Sequence, residues 1–217
     1  MKNRVLVLVL ALGAAVAFGQ DIAVSAPPAK LGVDVLDAIR ARVAARAFVK
    51  RDVTVADLST VVWAGNGLKG PTDAVSGASK AGGTFPVSGD RDYINLYVLT
   101  DKGVYRFLPE NSLLKQVSAG DARGLITSEN IATSAFMLLF TCDTAKLPVF
   151  VKNNPVAGRE MAMGTASYGA QNAALVAAGL KLASIVMFNV KPAAVTDAAK
   201  LPREEVPLFI MQLGYTQ

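Results

Sequence analysis

Residues 158–190 read GREMAMGTASYGAQNAALVAAGLKLASIVMFNV, and the first two-thirds of this segment show one long helical pattern. Good helix formers fill it, and no proline interrupts them. Small side chains are so frequent here that other backbones can approach the helix closely, as in the middle of a packed domain or at a subunit contact. The apolar, β-branched run 184–190 then predicts a buried strand.

Two amides, Gln171 and Asn172, lie in the middle of this helical pattern. A buried amide without a hydrogen-bond partner is costly, so each needs a partner if the helix is buried. Two interpretations are open at this point. The helix is either a core helix whose amides are satisfied by neighbouring groups, or a helix that lines a ligand site.

The N-terminus has the pattern of a secretory signal peptide over residues 1–19. A basic start, MKNR, precedes an apolar run at 5–18, and small residues occupy the −3 and −1 positions of a cut before Gln20. The run is shorter than the roughly 20 residues of a membrane span, although an uncleaved anchor is the alternative. We therefore expect a periplasmic or secreted protein that has no membrane segment after cleavage.

The composition excludes several classes of function. The formal charge of +5 is scattered along the chain, which argues against a nucleic-acid binder. The chain has no histidine and a single cysteine, Cys142, which excludes Ser-His-Asp catalysis, a histidine or thiolate metal site and an intramolecular disulfide. We expect Cys142 to be buried and no metal to be bound. An enzyme of this composition would depend on an organic cofactor.

The remaining patterns predict one domain at 34–217 after an extended lead-in at 20–33. Asp34 and Thr54 are predicted N-caps, and Gly67 ends the second helix. Strands and helices alternate without a βαβ rhythm, which indicates an α+β fold. The predicted helical segments are 34 to 42 or 46, 54–67, 121–126, 128–133 and 195–200; the predicted strands are 93–100, 104–108, 135–142 and 207–213; 68–92, 109–116 and 146–154 are predicted loops or connections.

Several short motifs, in this order, resemble the nitroreductase family of flavoproteins, and most closely its branch of SagB-type dehydrogenases. The resemblance spans about 34–215, nearly all of the chain that follows the signal peptide. The motifs are RVAARAF at 42–48, VWAGNG at 62–67, PVS at 86–88, GVY at 103–105, GDAR at 120–123, QN at 171–172, LKLAS at 180–184 and QLGY at 212–215.

The resemblance implies a central antiparallel sheet flanked by helices, and an intertwined homodimer with FMN at the subunit interface. It also implies that hydride comes from NAD(P)H docked over the flavin. By position, Arg42, Ala44 and Arg46 would hold the FMN phosphate. Pro86, Val87 and Ser88 would lie along the flavin, and the backbone of Leu182, Ala183 and Ser184 would approach its ring.

The residues themselves give a parallel argument for the two arginines. Arg42 and Arg46 fall on one side whether their segment is helical or extended, so their guanidiniums can fork onto a phosphate. A solvated basic face is the alternative. No side chain is an evident proton donor; Tyr168, Lys181 and Asp90 are the candidates, and the catalytic residues stay unknown.

Departures from the family pattern support a second hypothesis. Ala44 stands where the family has a phosphate-binding serine, and Val87 where its second motif has a serine. Each lost hydrogen bond weakens FMN binding by about 1 kcal/mol. The first hypothesis is an exported FMN-dependent oxidoreductase that passes hydride or electrons to a small-molecule acceptor. The alternative is a non-catalytic binding or scaffold protein on the same fold that has lost tight flavin binding.

Overall fold

The computed structural model describes residues 20–69, 83–88, 92–126 and 134–217. The predicted signal peptide, the predicted helix at 128–133 and Asp90 lie outside these residues, as does most of the predicted loop at 68–92. The strands are β1 Ile22–Ala23, β2 Ile94–Leu99, β3 Gly103–Leu108, β4 Leu113–Ala119, β5 Phe136–Asp143, β6 Ala183–Met187 and β7 Glu205–Gly214. The helices are α1 Val35–Ala41, α2 Val55–Asn66, α3 Arg123–Ile126, α4 Val149–Lys152, α5 Pro155–Gly179 and α6 Pro192–Ala199.

Within the described residues the strands form one seven-stranded sheet in the order β1-β4-β3-β2-β5-β7-β6. Every neighbouring pair in it is antiparallel. Helices α2 and α5 cover one face, and α6 covers part of the other face. The predicted α+β fold, with a central antiparallel sheet flanked by helices, is confirmed.

The predicted caps begin their helices as the sequence indicates. The side chain of Asp34 accepts a hydrogen bond from the backbone N–H of Asp37 at 2.9 Å, and that of Thr54 accepts from Asp57 at 3.1 Å. Each bond satisfies one of the free amides in the first turn of a helix. The second helix ends at Gly67, as predicted.

The small residues of α5 make the closest helix contact. A Cβ atom on Gly169 would lie 2.3 Å from the carbonyl oxygen of Gly65 in α2 and 2.9 Å from the ring of Phe85. Glycine is therefore required where these backbones meet. On the neighbouring turns of α5, Ala166 and Ala173 are fully buried. The prediction of a central, closely packed helix is confirmed.

Several sequence predictions were wrong in detail. The helix predicted at 195–200 begins three residues earlier, with Pro192 in its first turn, and ends at Ala199. Residues 109–116 were expected to be a loop, but they contain a 3-10 turn and the start of β4, which pairs with both β3 and β1. Residues 146–154 were expected to be a connection without a helix, but they contain the single turn of α4. The strand predicted at 184–190 ends at Met187, because only 183–187 pair with β7.

Candidate functional site

The first predicted site segment begins where α1 ends. Arg42 is the C-cap, and its backbone N–H donates to the carbonyl of Ala38 at 3.0 Å while its own φ and ψ, −62° and 119°, are extended. The chain therefore leaves the helix before the RVAARAF motif. Arg42 is half-buried, and Arg46 is exposed and interacts with other groups of the protein.

This extended segment pairs with the edge of the sheet. An isolated parallel bridge joins Ala44 to Ser184 in β6, and the N–H of Ala45 donates to the carbonyl of Ser184 at 3.2 Å. Farther on, the N–H of Val49 donates to the carbonyl of Tyr215 at 2.8 Å. The backbone thus brings together two predicted site segments, 42–46 and 182–184, that are about 140 residues apart in sequence.

The second of these segments is fixed by the end of α5. The N–H of Leu182 donates to the carbonyl of Ala177 at 2.8 Å, and Lys181 turns the chain with a left-handed φ of 61°. Leu182, Ala183 and Ser184 are all buried. The backbone of Ser184 pairs with the Arg42–Arg46 segment.

The segment 83–88 lies against the middle of α5. The amide of Asn172 donates to the carbonyl of Thr84 at 2.8 Å, and the N–H of Thr84 donates to the carbonyl of Gly67 at 3.0 Å. Asn172 is therefore a satisfied amide that positions this segment, as the first of the two interpretations given above expected; that the helix lines a ligand site stays a prediction. Gln171 is exposed. The hydroxyl of Thr84 is buried and has no hydrogen-bond partner among the described residues.

Beyond Phe85 the predicted flavin-contacting residues are accessible. Pro86 and Ser88 are exposed, and Val87 is half-buried. Asn172 lies ten residues before Leu182, which is about 15 Å along a helix. Asn172 ties the 83–88 segment to α5, and α1, which ends at the Arg42–Arg46 segment, also packs against α5, so α5 connects the two predicted site segments.

Two groups near the paired segments were not singled out from the sequence. Phe188 follows β6, is 63% exposed and meets Phe209 edge to face, with 5.6 Å between ring centroids. The guanidinium of Arg51 lies 3.9 Å above the ring centroid of Tyr215, a cation–π contact. If the strand predicted at 184–190 had been ended at Met187, Phe188 would have been identified as a residue outside the strand.

Three cavities are lined by described residues, and none of the nine predicted site residues is among their lining residues. The largest, about 630 Å³, lies between β5, β7, α4 and the start of α5. The second cavity, of about 490 Å³, lies beside α3 and α6. The third, of about 240 Å³, lies beside the start of α2. Of the candidate proton donors, Tyr168 is 56% exposed and Lys181 is also exposed.

Of the buried ionisable groups, Cys142 lies away from the predicted site, whereas the hydroxyl of Tyr93 is hydrogen-bonded to the backbone of Ser88, a predicted site residue. Burial raises the pKa of the Cys142 thiol to about 12, and the predicted burial of this cysteine is confirmed. Burial also raises the pKa of Tyr93, whose hydroxyl lies 2.7 Å from that of Thr165 in α5. In the described part of the chain, no group of three or more His, Cys, Asp or Glu could hold a metal ion. No helix there has both the length and the hydropathy of a membrane span.

Comparison with known proteins places the chain in a family. The model of the nitroreductase family matches residues 39–215, so the chain belongs to the nitroreductase family. The fold is similar to that of a Ralstonia eutropha protein described as a nitroreductase, with 20% identity, a TM-score of 0.78, and coverage of 93% of this chain and 91% of the other. No curated protein matches the sequence.

Two further solved structures share the fold at lower similarity. The E. coli microcin synthetase complex McbBCD, with truncated pro-MccB17 bound, contains a chain that is 16% identical, with a TM-score of 0.63 and coverage of 81% and 71%. The NADPH:FMN oxidoreductase of Vibrio harveyi, complexed with NAD+, is 17% identical, with a TM-score of 0.55 and coverage of 84% and 69%.

Proposed function

We propose that this chain is an exported, FMN-dependent oxidoreductase that acts as a homodimer and belongs to the SagB-type branch of its family. The observation that carries the proposal is the pairing of Ala44 and Ala45 with Ser184. It joins the segment of two arginines to the segment whose backbone is expected beside the flavin ring. The similarity to the NADPH:FMN oxidoreductase of Vibrio harveyi and to a chain of McbBCD supports the cofactor and the branch, respectively.

The residues present suit FMN. Arg42 and Arg46 would hold its phosphate, because guanidiniums bind phosphate oxygens through paired, charge-assisted hydrogen bonds. Pro86, Val87 and Ser88 would lie along the ring, next to the unpartnered hydroxyl of Thr84. Bound FMN would supply the hydride and electron transfer. The chain's own residues bind and orient it, and the donor would be NAD(P)H or another reductant.

A second copy of the chain would complete the site. Four large apolar residues on and beside α1 are more than half exposed: Val35 at 63%, Leu36 at 58%, Ile39 at 52% and Val43 at 52%. They adjoin Arg42, so covering them would also enclose the phosphate segment. Exposed apolar patches of this kind are typical of protein interfaces.

The cofactor assignment is tested by titrating FMN into the mature chain, 20–217, after removal of any flavin. We expect one FMN per chain and a yellow protein. Arg42→Met should weaken FMN binding by tenfold or more, since a hydrogen bond to a charged group is worth roughly 1.5–3 kcal/mol. Binding that is unchanged in this variant would contradict the phosphate assignment.

Arg40→Met is the matched control. Arg40 lies two residues earlier on the exposed surface of α1 and pairs with Asp37 at 2.9 Å. Its loss removes the same charge but no proposed phosphate ligand, so FMN affinity should change less than twofold. An equal loss in both variants would indicate only a general electrostatic effect.

The non-catalytic alternative is favoured by one observation, the alanine at position 44. Ala44 is exposed and paired to β6, so a serine can replace it without crowding. If the chain is a flavoprotein with a weakened phosphate site, Ala44→Ser should tighten FMN binding several-fold. If the chain no longer binds flavin, neither the parent nor this variant will turn yellow, and the scaffold hypothesis is supported.

Export is proposed from the sequence of 1–19 and is tested separately. Expression of the whole chain in a Gram-negative host should yield a periplasmic protein whose N-terminus begins at or near Gln20. A cytoplasmic, unprocessed chain would contradict export but leave the flavin assignment standing.

A further inference from the structure

The largest cavity described above, of about 630 Å³, has the size of a small-molecule site. Its apolar wall includes Cys142, Leu208 and Val151, which are 1%, 1% and 9% exposed. These residues belong to β5, β7 and α4, so three elements enclose the space. The pocket lies at the other end of β7 from Tyr215 and the Arg42–Arg46 segment.

Cations occupy the rim of this apolar space. Lys152 donates from Nζ to the carbonyl of Ala145 at 3.1 Å, and Arg159 donates from Nη1 to the carbonyl of Pro207 at 3.4 Å. Neither forms an ion pair within the described residues. A lysine has three N–H donors and an arginine five, so both retain donors for an anion.

Glu204 also lies on the rim, so the three rim charges sum to +1. Burial is the main cause of the raised pKa of Cys142; the charges of Asp143 and Glu205 also raise it, and that of Arg159 acts to lower it. The cavity therefore combines a buried apolar wall with an outer edge of net positive charge.

We propose that this cavity binds an amphiphilic monoanion such as a medium-chain carboxylate. The apolar chain would lie against Cys142, Val151 and Leu208, and the carboxylate would lie between Lys152 and Arg159. Burial of the chain supplies most of the affinity, at roughly 0.8 kcal/mol for each buried CH₂ group. The two cations fix which end faces the solvent. This site is independent of the proposed flavin site.

The surface beside the cavity suits such a ligand. Val149 and Phe150 of α4 are 84% and 74% exposed, and Val156 on the first turn of α5 is 67% exposed. Together they extend the apolar surface outside the pocket, where the end of a longer chain would rest.

The test measures the binding of decanoate and of the neutral decanol to the mature chain by calorimetry. We expect saturable binding of decanoate at one site per chain. Lys152→Met and Arg159→Met should each weaken decanoate binding by about tenfold and leave decanol binding within twofold, because only the carboxylate loses a partner. Retained decanol binding also shows that the variants are folded.

Two further variants complete the test. Lys115→Met removes an exposed lysine from β4, away from this cavity, and should leave decanoate binding unchanged. Ala145→Trp, on the exposed rim, should block both probes. The proposal is overturned if decanoate does not saturate, including because a second copy covers the opening, or if it binds the charge variants or the tryptophan variant like the parent.

Discussion

Helices α1 and α5 pack against each other, but their apolar residues differ in burial. The residues of α5 that face the sheet and α2 are small, and Ala162, Ala166, Ala173 and Ala177 are completely buried. The large residues Leu36 and Ile39 of α1 are more than half exposed. In α1 it is the small Ala38 that is buried.

The difference shows that side-chain size alone does not decide burial in this protein. At the α2–α5 crossing, the closest packing is backbone against backbone, so small residues are required. Helix α1 is only seven residues long and lies at the periphery, so no other segment among the residues that the structure describes covers its large side chains. We therefore expect α5 to control the stability of the chain and α1 to control its association.

The largest loss of stability is expected from a substitution at Gly169. Gly169→Ala places a methyl group 2.3 Å from the carbonyl oxygen of Gly65, and neither backbone can move freely. Overpacking of this kind costs roughly 1–3 kcal/mol, and we expect the upper end of that range. Chemical denaturation of the mature chain measures it.

Gly164 gives the matched control on the same helix. It is exposed, and a Cβ there would meet no heavy atom within 4 Å. Gly164→Ala should therefore stabilise the chain by roughly 0.5–1 kcal/mol through helix propensity. Equal effects of the two substitutions would show that the α2–α5 contact is looser than described.

A charged residue introduced on α1 should weaken dimer association and leave the stability of the monomer nearly unchanged. Ile39→Asp should raise the dimer dissociation constant by about tenfold or more, as burial of an unpaired charge at an interface does. Sedimentation velocity over a range of concentrations measures it. The stability of the monomer should stay within about 0.5 kcal/mol of the parent.

Leu125→Asp is the control for this substitution. Leu125 is 62% exposed on α3, which packs with α6 on the opposite face of the sheet from α1 and α5. Its substitution should leave association unchanged. If Ile39→Asp behaves in the same way as this control, then α1 is not at the subunit contact.

The smallest effects are expected at the two N-caps. Thr54→Ala should cost about 1 kcal/mol, because α2 is a twelve-residue helix that is buried against the sheet and cannot fray without exposing core. Asp34→Ala should cost about half as much or less, since α1 is short and exposed. A larger loss at Asp34 than at Thr54, measured by thermal unfolding, would reverse the comparison between the two helical regions.

Local patterns were sufficient for much of the fold. The caps at Asp34 and Thr54 and the neighbouring strands β2 and β3, predicted at 93–100 and 104–108, depend on residues close together in the sequence, so sequence located them. Strand β4 was missed because its mixed residues, LLKQVSA, do not alternate, and its place is set by pairing with β3 and β1. Helix α4 is a single turn, too short for a periodic signal.

The candidate site was likewise predictable from sequence only in part. The motifs that carry Arg42, Arg46 and Leu182–Ser184 were visible in the sequence, but their pairing across about 140 residues was not. The partner of Asn172 was equally hidden, because it is a backbone carbonyl in a connection whose sequence has no regular pattern. The roles of these residues toward FMN stay predictions.

The sequence by itself determined the N-caps of α1 and α2, the small-residue face of α5, the α+β class and the family motifs, because each depends on residues close together along the chain. The tertiary structure decided which segments meet at the sheet edge, which amide holds the 83–88 segment, and that no other described segment covers the apolar residues of α1. These features depend on contacts between distant segments, and their energies are not encoded in any local pattern.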